Sequence, residues 1–313
     1  MATQELVVQL NPEHYDNLTD ANAIGTTNFG KSSCQNNTGT VFAIGSDDNV
    51  VVYTSNSYAT KYATSISNPG NSNSLFGFKI AMDSPGDTII IGAPGDNRAY
   101  VFDAQNQART SWTQRSNGWN SNSYLGTSDS GTIHYGSDVD VAGDDDSLFV
   151  VGRPGDHKIE LWSWPNGSSA TLLKTITKSS NFGFSCKLSA DGQVVIAGGP
   201  GNYYPNGTSN AYGNGIAHVY VKDPSSATTW TERTLPFDYT DCPTYVEYID
   251  MATTTIKSVT DTNALDGGTK TPVNPAFGFS VAINKDGTFI AVSAPNRKCF
   301  FSAEWITGTS SYN

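Results

Sequence analysis

"FGFSVAINKDGTFIAVSAP", Phe277 to Pro295, reads as two short apolar strands joined by a tight turn at Lys285, Asp286 and Gly287. The same pattern occurs as "FGFKIAMDSPGDTIIIGAP" from Phe76, "YGSDVDVAGDDDSLFVVGRP" from Tyr135 and "FGFSCKLSADGQVVIAGGP" from Phe182. The proline follows the aromatic by 18 residues in three copies and by 19 in the Tyr135 copy. A worn copy starts at Phe29, where "FGKSSCQNNTGTVFAIGSD" places Gly45 and Asp47 where the next copy has Gly92 and Pro94. Five copies at this regularity make the repeat the unit of the fold.

Each copy continues with a third apolar run, such as "AYVFDA" (Ala99 to Ala104), "KIELWSW" (Lys158 to Trp164) or "IAHVYVKD" (Ile216 to Asp223). Alternating stretches then supply a fourth: "SWTQRS" from Ser111, "TLLKTITK" from Thr171 and "TTWTERTL" from Thr228. The unit is therefore predicted to be a four-stranded antiparallel meander. Its second strand, "TIIIGAP" or "QVVIAGGP", is nearly continuous Ile and Val, the pattern of burial on both faces. Radial stacking around an axis buries such units and leaves only short outer edges, so the expected fold class is all-β, a β-propeller.

These copies resemble the FG-GAP repeat, the blade unit of the integrin α-subunit head and of many bacterial and viral surface proteins, over most of residues 29 to 301. Within the motif the Phe packs between blades, the Gly lets the strand pass close to its neighbour, and Gly-Ala-Pro ends a strand and turns it. The starts at 29, 76, 135, 182 and 277 leave one long interval, holding either an insertion at about 237 to 276 or a degenerate sixth blade. The insertion is preferred, as an extended hairpin, because the interval has no Phe-Gly and no Gly-Ala-Pro. The chain is then one domain, 1 to 313, of five blades, with six the alternative. The last copy stops after its third strand, "CFFSAEWI", and "QELVVQL" (Gln4 to Leu10) has no copy of its own, so the N-terminal strand is expected to complete that blade.

The chain carries a net charge of -11 and only 18 Lys and Arg, which argues against a phosphate-binding face and hence against nucleic acid. No apolar run approaches the roughly 20 residues of a membrane span, and the start lacks the pattern of a secretory signal. Cys34, Cys186, Cys242 and Cys299 are far apart and read as free thiols, and His14, His134, His157 and His218 are solitary, against a zinc site.

Integrin-type blades often carry a calcium loop between their first two strands, where this chain has "MDSPGD", "AGDDDS", "SADGQ" and "NKDGT". Calcium takes about 6 to 8 oxygens, commonly from alternate residues. These segments are short and poor in carboxylates, so no cofactor is expected and the Asp-Gly pairs are read as turns. The weak metal candidates are Asp144, Asp145 and Asp146, consecutive and read as a solvated turn. No nucleophile elbow, His-Glu-x-x-His, P-loop or dinucleotide fingerprint occurs, so the reading is non-enzymatic, with a facing carboxylate pair of the glycosidase kind left open. Aromatics in polar, Gly-rich surroundings are the binding candidates: Trp119 and Tyr124, Tyr203, Tyr204 and Tyr212, and Tyr245 and Tyr248 in the insertion.

The expected function is an interaction module. The acidic composition, rich in Ser, Thr, Asn and Gly, together with the absence of an export signal, points to a virus or phage structural protein on the virion surface. It would serve capsid or tail assembly or host attachment, with other structural proteins or a host surface protein or glycan as partners. Two alternatives stand beside it. One is a secreted or cell-surface adhesin, for which Asn17, Asn36, Asn166 and Asn206 offer glycosylation sequons. The other is a propeller glycan hydrolase or lyase.

Overall fold

Every repeat forms an antiparallel meander. The computed structural model describes residues 29–46, 48–57, 60–116, 124–126, 133–201, 214–235, 238, 245–250, 255–260, 276–295 and 299–304. The first sheet is β1 (Ser32–Gln35), β2 (Val41–Gly45), β3 (Asn49–Ser57) and β4 (Thr60–Ser67), paired in chain order. The second is β5 (Ile80–Met82), β6 (Thr88–Ala93), β7 (Arg98–Ala104) and β8 (Trp112–Gln114), joined by β9 (Leu125–Gly126), which pairs with β7. The third holds β10 (Val139–Ala142), β11 (Asp145–Arg153), β12 (Lys158–Ser163) and β13 (Thr171–Thr177). The fourth holds β14 (Ser185–Leu188), β15 (Val194–Gly199), β16 (Ile216–Lys222) and β17 (Trp230–Arg233). A two-stranded hairpin, β18 (Tyr245–Asp250) and β19 (Thr255–Thr260), precedes a three-stranded fifth sheet of β20 (Val281–Ile283), β21 (Phe289–Ala294) and β22 (Cys299–Glu304).

The fourth strands lie at the expected alternating segments, the 237 to 276 interval contains a hairpin, and among the described residues the last sheet has three strands. Gln4 to Leu10 lies outside the described residues, as does the question of what closes that sheet. The sequence reading missed β9, because the Gly-rich stretch around it carries no strand pattern. Backbone pairing of Arg98 with Gly126 and Ala99 with Leu125 places it on the same edge of β7 as β8, along the stretch that β8 leaves unpaired.

Alternation along the second strands explains why they are apolar throughout. On β6, Ile89 and Ile91 enter a core shared with Val41, Ala43, Val50 and Val52 of the first sheet, whereas Ile90 enters one shared with Tyr135, Val139, Phe149 and Val151 of the third. β11 repeats this, with Phe149 and Val151 facing back and Leu148 and Val150 sharing a core with Phe182, Val195 and Ala197. Ile196 of β15 in turn shares a core with Phe277, Ile290 and Val292 of the fifth sheet. Each successive sheet thus covers the one before it, and β1, β5, β10, β14 and β20 are neighbours in that order.

The repeated glycines lock these layers. In each repeat the glycine after the aromatic has positive φ (Gly77 92°, Gly136 85°, Gly183 91°, Gly278 82°), a conformation costly for residues with a Cβ. Its carbonyl abuts the Cα of the preceding sheet's second-strand glycine: Gly77 against Gly45, Gly136 against Gly92, Gly183 against Gly152, Gly278 against Gly198. The turns between first and second strands are joined too. Asn37 N–H donates to the Ser84 carbonyl (3.0 Å), Ser84 to Gly143 (2.8 Å), Asp144 to Ala190 (2.7 Å) and Ala190 to Lys285 (2.8 Å).

Candidate functional site

In a meander, connections one to two and three to four lie at one end of the sheet, and connections two to three and four to the next repeat lie at the other. The relay of joined turns marks the first end. The segments that do not repeat all leave from the second. Residues 117–123 follow β8, 202–213 join β15 to β16, and 236–244 lead from β17 toward the β18–β19 hairpin. Trp119, Tyr203, Tyr204 and Tyr212 lie in these segments, outside the described residues. Tyr245 and Tyr248 stand on β18, opposite Thr260 and Lys257.

Tyr124 is partly buried and packed rather than presented. Its ring meets Tyr100 edge-on at 6.0 Å, and the Arg98 guanidinium lies 4.2 Å from its centroid. Arg98 Nη1 donates to the Tyr100 hydroxyl (3.3 Å), and the Asn71 N–H donates to the Asp96 carboxylate (3.0 Å). Tyr124 therefore anchors the returning end of the Trp119 segment to the sheet edge. The leaving end is anchored by Arg115, whose side chain binds Asp103 and the Trp164 carbonyl of the third sheet.

The other charged centre lies among the first strands. Lys187 Nζ stands 3.6 Å from Asp138 and 4.0 Å from Asp140, and donates to the Val139 carbonyl (3.3 Å). The two carboxylates also accept backbone N–H groups of β14, Asp138 from Cys186 (2.9 Å) and Asp140 from Leu188 (2.8 Å). Burial alone would lower the Lys187 pKa, but the two carboxylates outweigh it and hold the ammonium above its usual range. Burial pushes the Cys34 thiol up to about 12, with the Asp140 carboxylate adding to it, and raises Cys186 as well. A permanently charged lysine and protonated thiols make poor nucleophiles, so this centre clamps the third sheet to the fourth. Its sequence signal was a charge inside an apolar strand, as in "CKL" and "VDV".

The acidic turns act locally. Asp191 accepts from Ser189 Oγ (2.6 Å) and the Gln193 N–H (3.0 Å), and Asp286 from the Thr288 N–H (3.1 Å), which makes both Asp-Gly pairs capped hairpin turns. At the triple-Asp segment the turn is shorter than expected. Asp145 and Asp146 already belong to β11, paired through a bulge after Val141, and only Asp144 occupies the turn, 3.4 Å from Lys285 Nζ. Pairing of Asp145 with Ala142 of β10, past the bulge, extends the second strand backwards, a preference the three carboxylates concealed. Among the described residues no group of three His, Cys, Asp or Glu is placed to hold a metal ion.

Asp83 caps its turn from a buried position. It is buried and accepts the N–H groups of Gly86 (2.9 Å), Asp87 (2.8 Å) and Thr88 (3.0 Å). Burial nevertheless raises its pKa from 3.8 to about 6. A folded pKa above the unfolded one means that the native state holds the proton longer, so stability falls as pH rises from about 4 to 6. Asn36 holds the same turn position in the first repeat, accepting from the Thr40 and Val41 N–H groups. Asp83→Asn should therefore remove this dependence and stabilise the protein at pH 7 by about 2 to 3 kcal/mol, measured by urea unfolding at pH 4.5 and 7.

No family model matches the chain, and no curated protein matches it. Solved structures do. A protein from Lactobacillus plantarum superposes with a TM-score of 0.50 at 13% identity, covering 84% of this chain and 63% of that one, so the chain spans less than two thirds of its length. A functionally unknown protein from Desulfotomaculum acetoxidans (TM-score 0.43, 12% identity, 91% and 85% covered) and the hydrazine synthase of Kuenenia stuttgartiensis (0.42, 13%, 87% and 82%) are also similar. At these identities the likeness concerns the fold alone.

Proposed function

We propose that the five sheets are the blades of an FG-GAP-type β-propeller, closed by the N-terminal strand, and that it acts as a non-enzymatic interaction module on the surface of a virus or phage particle. Radial closure is supported by the short first strands β1, β5, β10, β14 and β20, which are neighbours in chain order as the innermost strands of blades around an axis would be.

The observation that carries the functional reading is that every long non-repeating segment leaves the same end of the sheets. Five similar turns pave the opposite end, whereas the segments that leave this end carry Trp119, Tyr203, Tyr204 and Tyr212 in their sequence, aromatics in Gly, Asn and Ser-rich stretches of a composition suited to recognition. The acidic, Ser, Thr and Asn-rich composition favours an exterior setting. Particles purified from producing cells should contain the protein. Trp119→Ala combined with Tyr203→Ala should leave its melting temperature unchanged and reduce its incorporation or the particle's attachment. Recovery in the host cytosol but not in particles would overturn the reading.

A further inference from the structure

Among the described residues four glycines directly follow an Asn or Asp, and the junctions differ in what surrounds the glycine nitrogen. At Asp191-Gly192 and Asp286-Gly287 the glycine N–H is spent inside the turn, on the Ser189 carbonyl (3.0 Å) and the Asn284 carbonyl (3.1 Å). Their carboxylates are held too, Asp191 by Ser189 Oγ and the Gln193 N–H, Asp286 by the Thr288 N–H. At Asn214-Gly215 the glycine is buried against the Phe277 backbone, and the Asn214 carbonyl accepts the Phe277 N–H (3.1 Å). These three junctions are locked.

Asn166-Gly167 is open. It forms the tip of the hairpin between β12 and β13, where Pro165, Asn166, Gly167 and Ser168 are all exposed and a Cβ on Gly167 would meet nothing within 4 Å. The Ser168 N–H closes the turn on the Pro165 carbonyl (3.0 Å) with Gly167 at a φ of 77°, a turn in which the Gly167 N–H takes no part. Only that one hydrogen bond opposes rotation of the tip. Below it the hairpin is fixed, since buried Trp164 donates from its backbone N–H to the Ser147 carbonyl (2.6 Å) and from Nε1 to the Ser168 carbonyl (3.0 Å).

We infer that Asn166 is a site of spontaneous covalent modification, at which the Gly167 backbone nitrogen displaces the Asn166 side-chain amide and water completes the conversion to aspartate or isoaspartate. The Gly167 nitrogen gives up its proton and bonds to Asn166 Cγ, the bond from Cγ to the amide nitrogen breaks, and ammonia leaves with that proton. Water then opens the cyclic imide at either carbonyl, and nothing is oxidised or reduced. The product carries one more negative charge at the end of the sheets where the joined turns lie, and the Asn166 glycosylation sequon is lost.

The test ages the purified full chain at mildly alkaline pH and physiological temperature and follows it by tryptic peptide mapping. Trypsin releases Ile159 to Lys174 as one peptide, in which Asn166 is the sole side-chain amide. That peptide should gain about one dalton and split into aspartate and isoaspartate forms, while Asn214, located by fragmentation, keeps its amide. In guanidinium chloride both amides should be lost at similar rates, because the protection of Asn214 comes from the fold. Gly167→Ala should slow the reaction of the native chain by about an order of magnitude, since a Cβ shields the nitrogen and resists positive φ. Retention of the Asn166 amide in the native chain after the unfolded chain has lost it would overturn the proposal. Loss of the Asn214 amide as fast as that of Asn166 in the native chain would do the same, for the fold would then make no selection between them.

Discussion

Gly152→Val should yield no folded protein. A Cβ at this position would overlap the Gly183 carbonyl oxygen, a backbone atom of the neighbouring sheet that no rotamer change can move. Neither strand can yield, because the Gly152 N–H is tied to the Asp138 carbonyl (2.9 Å) and its own carbonyl accepts the Gly136 N–H (3.0 Å). Even Gly92→Ala, facing the Gly136 carbonyl in the same way, should cost more than about 4 kcal/mol, a large part of the roughly 5 to 15 kcal/mol that holds a domain folded. The control is Ser293→Ala, which loses only the hydrogen bond from the Ser280 N–H (3.0 Å) and should cost about 1 kcal/mol. Soluble yield and thermal unfolding by circular dichroism distinguish the cases. A cooperative melt of Gly152→Val near that of the parent would sink the interlock.

The same glycines show what the sequence could disclose. Their recurrence at fixed offsets from the aromatic identified the repeat, its meander and its strand boundaries, since a two-residue side-chain period and a tight turn are local properties. Their pairing between repeats was not legible. That Gly92 meets the carbonyl of Gly136 depends on how one sheet lies on the next, and no local pattern encodes it. Asp145 and Asp146 failed for a related reason: composition favours a turn there, and bulged pairing to β10 overrides it. Tyr124 looked like a recognition aromatic because its neighbours in sequence are polar, whereas its neighbours in space are Arg98 and Tyr100. Charges inside strands were the overlooked signal, for Asp103, Asp140 and Lys187 all interrupt apolar runs and all join elements together, as does Asp138 just ahead of β10.

The second large effect is expected at one of those charges. Arg115→Met should destabilise the protein by about 3 to 5 kcal/mol, because it strands a buried carboxylate. The Arg115 side chain is 1% exposed and holds Asp103 at both oxygens, with Nε donating at 2.9 Å. Thr88 Oγ1 donates to the same carboxylate at 3.1 Å, too little to replace a guanidinium. The pair also joins two layers, since Arg115 reaches the Trp164 carbonyl of the third sheet while Asp103 sits on β7 of the second. Arg115→Met with Asp103→Leu removes both charges together and should recover more than half of the loss, because a matched apolar pair leaves no uncompensated ion. Denaturant unfolding of the two single variants and the double variant closes the cycle. Strict additivity would mean that the pair is not coupled, and that the Trp119 segment, which begins two residues after Arg115, leaves the sheet without this anchor.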